Sequence, residues 1–468
     1  MMVITMRDTK HKVDTPSVSE EQIRDSMEIT KADAVELNAE LDKSNAPSLE
    51  SDNAPIEATT EAWDRGIRQA QAKKNTTLED VHKVFSKWLF VDDTDRIDLA
   101  LAVGMNYTTT GAPIWIFLVS PAGDWKSELL MSFTGLPNVI QLDQITKNTL
   151  ASGLKDTVDL GSQLTGKRSL IISPDLANLI SCASDDKKMI WSQFRELYDG
   201  RINKMTGSGT SKKYDNCYVN FLAGATPVMR GEYLIHQAIG TRELLYDCDP
   251  DPSQNEAKMN QAWENEDYEE EMREELRTVV YDFCLYHTPE NIKVSKAIRE
   301  FLSHEANRLS LLRATGTIDW HSGELKGDVT REVPTRLIKQ LKRLWLTLKS
   351  LDPEYPDKTA KRIIRKIIDS SGSKNRQRII KAFKGAKTTD KWLNIADIRR
   401  ETKLGRRTIK AECEQLWSLG SLRSETRVER IGASVVSDGC GGETERGGLI
   451  REVEYYSPIQ QETTQEEL

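Results

Sequence analysis

Two periods of apolar residues organise the chain after residue 75. Val81, Val84, Phe85, Trp88 and Leu89 recur at three- and four-residue spacing behind Thr76-x-x-Glu79, a capping-box pattern, and predict an amphipathic helix packed on a domain. A second helical stretch covers about Ile97–Asn106. Pro113 then leads into Ile114–Val119, a buried strand by its length and composition, followed by a turn and a helix that starts near Lys126. Ser169–Ser173, Cys217–Ala223 and Leu244–Cys248 read as further strands with helical patterns between them. Strands alternating with helices predict an α/β fold around a parallel sheet.

Beyond this part the pattern changes. Asp247–Glu275 carries 12 acidic and 2 basic residues and reads as a solvated linker or helix surface. From Glu275 to about Ser371 the pattern is helical, with an apolar stripe along Arg331–Lys349. Asn394–Thr402 reads as a short helix, Lys403-Leu404-Gly405 as a turn, and the stretch from Arg406 as a second helix ended by Gly420, which together give a helix-turn-helix. Leu422–Arg430 and Leu449–Tyr456 pair as strands of a wing around the Gly-rich stretch Asp438–Gly448, read as a mobile loop. The division expected is a disordered acidic region at 1–70, the sheet domain at 76–250, a helical lid at 270–350, a basic helical connector at 351–388, a winged helix at 389–457 and a disordered tail at 458–468.

Composition sets the outer limits. At 468 residues the chain is long enough for roughly three domains of about 150 residues. Its longest apolar run, Ile114–Val119, falls far short of the roughly 20 residues of a membrane span, and polar residues follow Met1–Ile4 too soon for a secretory signal. The cysteines are scattered with no C-x-x-C pair and the histidines are equally dispersed, so neither a disulfide scaffold nor a metal cluster is expected, and a reducing cytoplasm is the expected setting. Net charge is −8, but it is segregated: residues 1–60 hold 6 basic and 13 acidic residues and no aromatic, whereas 351–410 hold 18 basic and 7 acidic. The first stretch buries too little apolar surface to order itself, beyond a marginal helix around Glu20–Leu41, and the second suits a polyanion.

The most informative stretch is Ser120-Pro121-Ala122-Gly123-Asp124-Trp125-Lys126-Ser127, between the Ile114–Val119 strand and the next helix. Strand, tight turn, Lys-Ser and helix are the parts of a phosphate-binding P-loop: backbone N–H groups cradle phosphates, the lysine reaches the β/γ oxygens and the serine hydroxyl holds Mg²⁺. These eight residues are the candidate ATP site. Ser120 and Trp125 stand where G-x-x-x-x-G-K-[ST] has glycine, which matters wherever that loop needs backbone angles a bulky side chain disfavours. An ordinary strand–helix turn with a chance Lys-Ser is the competing reading. Leu170-Ile171-Ile172-Ser173-Pro174-Asp175 is an apolar strand ending in a carboxylate, the form of a Mg²⁺-supporting aspartate, with a helix N-cap as the alternative for Asp175. Leu176 takes the place of the glutamate that orients the attacking water, leaving Glu196 or Asp199 on the next helix as candidates for that role.

Several strings resemble one family: Trp191-x-x-Phe194-Arg195-Glu196-Leu197-Tyr198-Asp199-Gly200-Arg201, Thr206-Gly-Ser-Gly209, Phe221-Leu-Ala-Gly-Ala-Thr226-Pro227, Gly240-Thr-Arg242-Glu243 and Glu332-Val-Pro334-Thr335-Arg336, with Trp88-Leu89 and Pro113-Ile-Trp115 upstream. Together, over about residues 76–350, they look like AAA+ ATPases carried by phages, plasmids and integrative elements, known as replication or primase-associated proteins. The resemblance implies an AAA+ parallel-sheet core with a helical lid, binding ATP and Mg²⁺. It implies Thr226 as the polar sensor of the γ-phosphate, Arg242 as an arginine finger reaching a neighbouring subunit's nucleotide, and Arg336 on the lid as a second sensor. Ser120, Trp125 and Leu176 depart from the family pattern and bear on the hydrolysis rate. On the residues alone, pairing of Arg242 with Glu243 or Asp247 and a solvated Arg336 stay open.

Two basic features point to DNA. By similarity to ring helicases of the minichromosome-maintenance and superfamily 3 types, the Arg201–Tyr214 stretch is a pore hairpin whose Lys204, Lys212 and Lys213 contact phosphates; a plain surface hairpin is the alternative. In the winged helix, Arg406, Arg407 and Lys410 lie at the N-terminal part of the recognition helix, facing groove or phosphates, although such domains also bind proteins. The expectation is an ATP-dependent DNA motor (helicase, translocase or remodeller) in replication of a mobile genetic element, assembled as a homo-oligomeric ring with a primase or initiator as a further partner. The alternative is a nucleotide-binding adaptor or helicase loader with weak or no hydrolysis. A transcription activator ranks last, since the G-A-F-T-G-A loop of that class is missing.

Overall fold

The computed structural model describes residues 76–458 apart from 108, 153, 155–157, 206–210, 232–239, 288–291, 320–324, 385–391, 432–433, 439–441 and 447–448. All of these belong to the second of two units, 1–67 and 68–468, into which the chain divides. The acidic region at 1–70 with its Glu20–Leu41 helix, the Thr206–Gly209 turn and the tail after Pro458 lie outside the described residues.

In chain order the first seven strands are β1 (Trp115–Val119), β2 (Val139–Gln141), β3 (Arg168–Ser173), β4 (Arg201–Met205), β5 (Ser211–Asp215), β6 (Tyr218–Ala225) and β7 (Leu244–Asp247). Five of them form a parallel sheet in the order β2-β3-β6-β1-β7, and β4 and β5 pair as a separate antiparallel hairpin. The sheet strands carry near-continuous apolar runs because both faces are covered. Ile116, Leu118, Leu170, Ile172, Leu222 and Tyr246 enter one core, while Trp115, Phe117, Ile171, Phe221 and Leu245 enter the other. In the second core the Trp115, Phe194, Tyr198 and Phe221 rings meet edge to face at 5.4–5.9 Å, and the Trp115 indole donates to the Val219 carbonyl at 2.7 Å.

The helices are α1 (Leu78–Trp88), α2 (Asp95–Asn106), α3 (Lys126–Met131), α4 (Leu160–Leu164), α5 (Ala177–Ser181), α6 (Ser184–Tyr198), α7 (Asn255–Glu264), α8 (Glu269–Tyr286), α9 (Lys296–Arg313), α10 (Thr335–Lys349), α11 (Asp357–Ser371), α12 (Lys374–Lys384), α13 (Ile395–Thr402) and α14 (Arg406–Ser418). The first core packs α1, α2 and α8–α11 on one face of the sheet, and α6 with part of the β4–β5 hairpin covers the other. β7 is an edge strand, but its outer side is not bare: Ser371 Oγ accepts from Leu245 N at 2.8 Å and Ser370 Oγ from Asp247 N at 3.0 Å, so α11 supplies what a sixth strand would. At Gly224 a Cβ would come within 2.2 Å of the Pro174 carbonyl, which makes glycine the residue that lets β6 and the turn after β3 approach. Among the described residues no helix is long and apolar enough to cross a membrane.

The remaining strands are β8 (Thr315–Ile318), β9 (Leu325–Thr330), β10 (Leu393–Asn394), β11 (Leu422–Ile431), β12 (Ser434–Asp438), β13 (Gly442–Arg446) and β14 (Leu449–Pro458). β10, β14 and β11 form a three-stranded antiparallel sheet. With α12, α13 and α14 it encloses a small core that includes Ile379, Phe383, Ile398, Ile409, Leu416 and Tyr456. Arg376, nearly fully buried, ties this unit to α9: it donates to Glu412 and Gln415 of α14 and to the Leu311 and Ala314 carbonyls.

The structure revises four expectations. The capping box on α1 is built by Thr77 and Asp80, one residue later than Thr76 and Glu79. The β8–β9 hairpin interrupts the stretch read as wholly helical; Gly316, Gly327 and few apolar residues left it without a strand pattern. The glycine-rich stretch read as a mobile loop contains β13, which pairs with β12 just before it. β2, three residues long, was not expected at all.

Candidate functional site

Because the sheet is parallel, the ends of its strands gather distinct loops at one edge. From β1 the chain crosses toward β2, and from β6 it crosses over β1 to β7, so the connections leaving these two neighbours run in opposite directions. Such a switch, at the C-terminal ends of the strands, is where α/β sheets commonly bind ligands. Ser120–Trp125 follows β1 there, Pro174-Asp175 follows β3 and Thr226 follows β6. Ser120 N donates to the Ala225 carbonyl at 3.1 Å, which sets the β1–α3 loop directly beside Thr226.

Within that loop Pro121, Ala122 and Gly123 are exposed, and Gly123 alone has positive φ (+81°), with nothing within 4 Å of a Cβ built on it. Trp125 has φ −71° and ψ 14°, and Ser120 is absent from the positive-φ residues, so neither position needs glycine's freedom. The Trp125 ring turns toward Phe85, at 6.4 Å, and lies 3.8 Å beneath the Arg96 guanidinium. Asp124, its side chain 4% exposed, accepts from Arg96 Nη1 at 2.7 Å and from Ser120 Oγ at 2.6 Å. The buried arginine cancels a charge that would otherwise repel an anion in this loop. Lys126 opens α3, is 5% exposed, and points its ammonium across the loop to the Pro121 carbonyl at 3.0 Å and the Ser120 carbonyl at 3.4 Å. Ser127 sits half-buried in the same turn. Asp124 Oδ1 and Trp125 Nε1 are buried without a hydrogen-bond partner. An exposed glycine bend with a lysine folded across it, its one carboxylate neutralised, fits a phosphate chain.

The other residues of this edge are less committed. Asp175 is exposed and accepts from Ala177 N at 2.9 Å, so its carboxylate serves the start of α5. Leu176 is buried and donates its N–H to Gly224 O. Thr226 is half-buried. Glu196 and Asp199 do not join this edge: α6 runs back to the other end of the sheet, where the Tyr198 hydroxyl meets the Pro113 carbonyl at 3.2 Å, and these two carboxylates engage Asn203 N and Arg242.

Arg242 and Arg336 also gather at the opposite edge. Glu243 precedes β7, whose Leu244 is in register with Ile116, so both arginines lie roughly 16 Å of strand away from the β1–α3 loop. Arg242 donates to the Gly240 carbonyl at 2.9 Å and to Asp199 at 3.3 Å. Arg336 donates to the Thr241 carbonyl at 2.8 Å and to Glu332 at 2.7 Å. Burial and then the Arg242 charge push the Arg336 guanidinium below its ordinary pKa, and the same two causes act on Arg195. Burial raises the Glu243 carboxyl between them. Arg336, expected by resemblance as a second sensor, is held at the Thr241 carbonyl, away from the β1–α3 loop.

In the β4–β5 hairpin, Lys204 donates to the Lys147 and Ala151 carbonyls at 3.1 and 2.7 Å, and Lys212 pairs with buried Asp159 at 2.8 Å. Both clamp the hairpin to the chain beside it. Lys213 is exposed, with Asp215 at 3.1 Å.

Two basic features were not anticipated. At the end of β7 a cavity of about 460 Å³ is lined by Arg230, Lys374, Arg378 and Lys381 with Asp247 and Asp249. Asp247, nearly fully buried, pairs with Arg230 and with Lys374. In the C-terminal unit a groove of about 980 Å³ joins Arg399, Arg400 and Lys403 to Arg406 and Lys410, with Glu452 and Glu454 opposite. Arg406 and Arg407 are exposed, and Lys410 lies 3.7 Å from Glu414. Arg399 and Arg400 were visible as a doublet on the first of the two helices, while the β7 cavity joins residues 230 and 381, a separation no local motif carries. Among known proteins, no family model matches this chain, and no curated protein matches it.

Proposed function

We propose that the chain is an ATP-dependent, DNA-acting AAA+ motor that works as a homo-oligomer in replication of a mobile genetic element. The observation that carries the reading is the β1/β6 switch in strand order, where the bent, lysine-bridged loop after β1 stands next to Thr226. In this reading Ser120–Ser127 is a P-loop, Lys126 leaves the loop carbonyls for phosphate oxygens, and Ser127 with Asp175 holds Mg²⁺. Bound ATP with Mg²⁺ supplies the phosphoanhydride whose cleavage drives movement. The chain's own residues have narrower tasks. Arg96 keeps Asp124 neutralised so that the loop accepts an anion, Thr226 orients groups at the phosphate end, and Arg242 serves a neighbouring copy. α12–α14 with the three-stranded sheet is then a winged helix, with Arg406, Arg407 and Lys410 on DNA phosphates and the Arg399–Lys403 side of the groove added to them. In this reading Arg242 and Arg336, both away from their own loop, are left for the nucleotide of a neighbouring copy, which supports assembly as a ring.

A second reading, a nucleotide-binding adaptor or helicase loader with little turnover, is favoured by one observation: Leu176 is buried where the family pattern has a glutamate, and the Asp175 carboxylate accepts from Ala177 N. Phosphate release with and without single-stranded DNA separates the two. The motor reading expects DNA-stimulated release that falls at least about 100-fold in Lys126→Ala, the scale of removing one electrostatic donor to the transition state. Equal release by both proteins would refute it, and nucleotide binding without release would establish the adaptor.

A further inference from the structure

We infer that the cavity at the end of β7 is a binding site for a phosphate dianion, separate from the β1–α3 loop. Three of its cations come from one helix. Lys374, Arg378 and Lys381 stand four and three residues apart on α12, the spacing that brings side chains to one face. Arg230 comes from the turn after Thr226, where Met229 N and Arg230 N donate to the Thr226 and Pro227 carbonyls. Asp247, its side chain 4% exposed, holds two of the four: Arg230 and, at 2.9 Å, Lys374. The Arg230 guanidinium also donates to the Ser370 carbonyl at 3.3 Å, so β7, α11 and α12 together fix this part of the cavity.

The charges there do not balance. Four cations line the space against two carboxylates, Asp247 and the exposed Asp249, an excess of two. Asp369 close by is taken by Arg308. Arg378 and Lys381 are exposed and, among the described residues, form no ion pair. Burial, then the Arg230 charge, holds the Lys374 ammonium below its ordinary pKa, although Asp249 and Asp369 act in the opposite sense. Like charges gathered in a recess repel one another until an anion enters. Two surplus charges match an inorganic or terminal phosphate, which carries about two negative charges at neutral pH. A backbone phosphodiester, with a single charge and chain leaving on both sides, is the poorer match. The volume of about 460 Å³ lies within the range of small-molecule sites, about 300–1,000 Å³.

This site is not the loop after β1. None of the lining residues belongs to Ser120–Ser127. On β7, Asp247 shares a face with Leu245, which enters the second core, whereas Leu129 and Leu130 of α3 enter the first. The Asp247 side chain and α3 therefore lie on opposite faces of the sheet. A phosphate seated in the cavity braces the start of α12 against β7 and the turn after Thr226.

The inference does not rest on the proposed function, and the β1–α3 loop need not bind nucleotide for it to hold. Calorimetric titration of the full-length chain with inorganic phosphate, at constant ionic strength, tests it. Wild-type protein should bind and gain thermal midpoint, since a ligand of the folded state stabilises that state. Arg378→Gln and Lys381→Gln leave the buried Asp247 pairs intact. Each should weaken binding at least about tenfold, the scale of one charge-assisted hydrogen bond, with unchanged circular dichroism. Asp249→Asn removes a competing carboxylate and should tighten binding. Lys126→Ala should bind phosphate as wild type does, which tells a failure here from a failure at the β1–α3 loop. A 5′-phosphorylated dinucleotide, compared with its 5′-hydroxyl form, identifies the source: binding tighter than that of inorganic phosphate assigns a nucleic-acid end, and no gain assigns free phosphate. No binding by wild type, unchanged affinity in Arg378→Gln, Lys381→Gln or Asp249→Asn, or loss of all binding in Lys126→Ala would overturn the inference.

Discussion

Replacing Arg96 by methionine tests the electrostatics of the β1–α3 loop. Its guanidinium is 1% exposed and spans Asp92 and Asp124, whose side chains are 11% and 4% exposed, while its face covers the Trp125 ring. Methionine keeps much of the volume and removes the charge. Asp124 is then left in the loop with only Ser120 Oγ as donor, and stranding a buried charge in this way costs about 3–5 kcal/mol. Asp124→Asn is milder: Arg96 keeps Asp92, and the cost is that of one charge-assisted hydrogen bond, about 1.5–3 kcal/mol. In the double variant the residue at 124 no longer needs a counter-ion. It should therefore be more stable than Arg96→Met alone, which requires a coupling between the sites larger than the cost of Asp124→Asn itself, about 3 kcal/mol. Urea unfolding followed by tryptophan fluorescence reads the order of midpoints, which survives even where a multidomain chain does not unfold in two states. If the double variant unfolds earlier than Arg96→Met, or the two effects simply add, Arg96 is not the neutralising partner of Asp124.

Three further outcomes concern other parts of the molecule. Gly224→Ala drives a Cβ into the Pro174 carbonyl, so it should destabilise by at least about 1–3 kcal/mol, seen as a lowered thermal midpoint, whereas Gly123→Ala, with open space around it, should show only its backbone strain of about 1–2 kcal/mol. Burial pushes the Asp159 carboxyl up, but the Lys212 ammonium and hydrogen bonds from Ser152, Tyr214 and Ser162 outweigh it and hold it below the ordinary value. A depressed carboxylate stabilises above its unfolded pKa and gives up that contribution as pH falls through its folded value. The stability gap between wild type and Asp159→Asn should therefore be full at neutral pH and close below about pH 3.9, and a gap independent of pH would contradict the pairing. For the C-terminal groove, binding of duplex DNA should weaken with salt, and Arg406→Ala and Arg407→Ala should each flatten the logarithmic salt slope by about 1, the counterion of a single phosphate; parallel slopes would exclude phosphate recognition by these residues.

Much of the sheet was legible because its strands are buried on both faces. Ile114–Val119, Ser169–Ser173, Cys217–Ala223 and Leu244–Cys248 stand as apolar blocks, and each lies within a residue or two of an observed strand. β2 and β8 offered no such block: two half-buried residues and an exposed one in the first case, a Thr-Gly-Thr-Ile segment in the other. The loop after β1 was legible as a spacing of eight residues; the ordinary backbone angles of Trp125 and its packing against Phe85 and Arg96 were not. Arg96 itself was invisible as a site residue, because it reaches Asp124 from a helix 28 residues upstream. The place of Arg336 was hidden for the converse reason: a local motif says which helix it begins, not which edge of the sheet that helix meets.

The serine-capped margin of β7 has a mechanical corollary. Hydroxyls of Ser370 and Ser371 close a row of peptide groups that would otherwise accept a strand from a stranger or a sister chain, so growth of the sheet by edge pairing is blocked there. The same bonds make the last turn of α11 a splice. Any tilt of α12 and the C-terminal unit acts at this seam, on a strand hydrogen-bonded along its other side to β1, one residue short of the bend at Ser120.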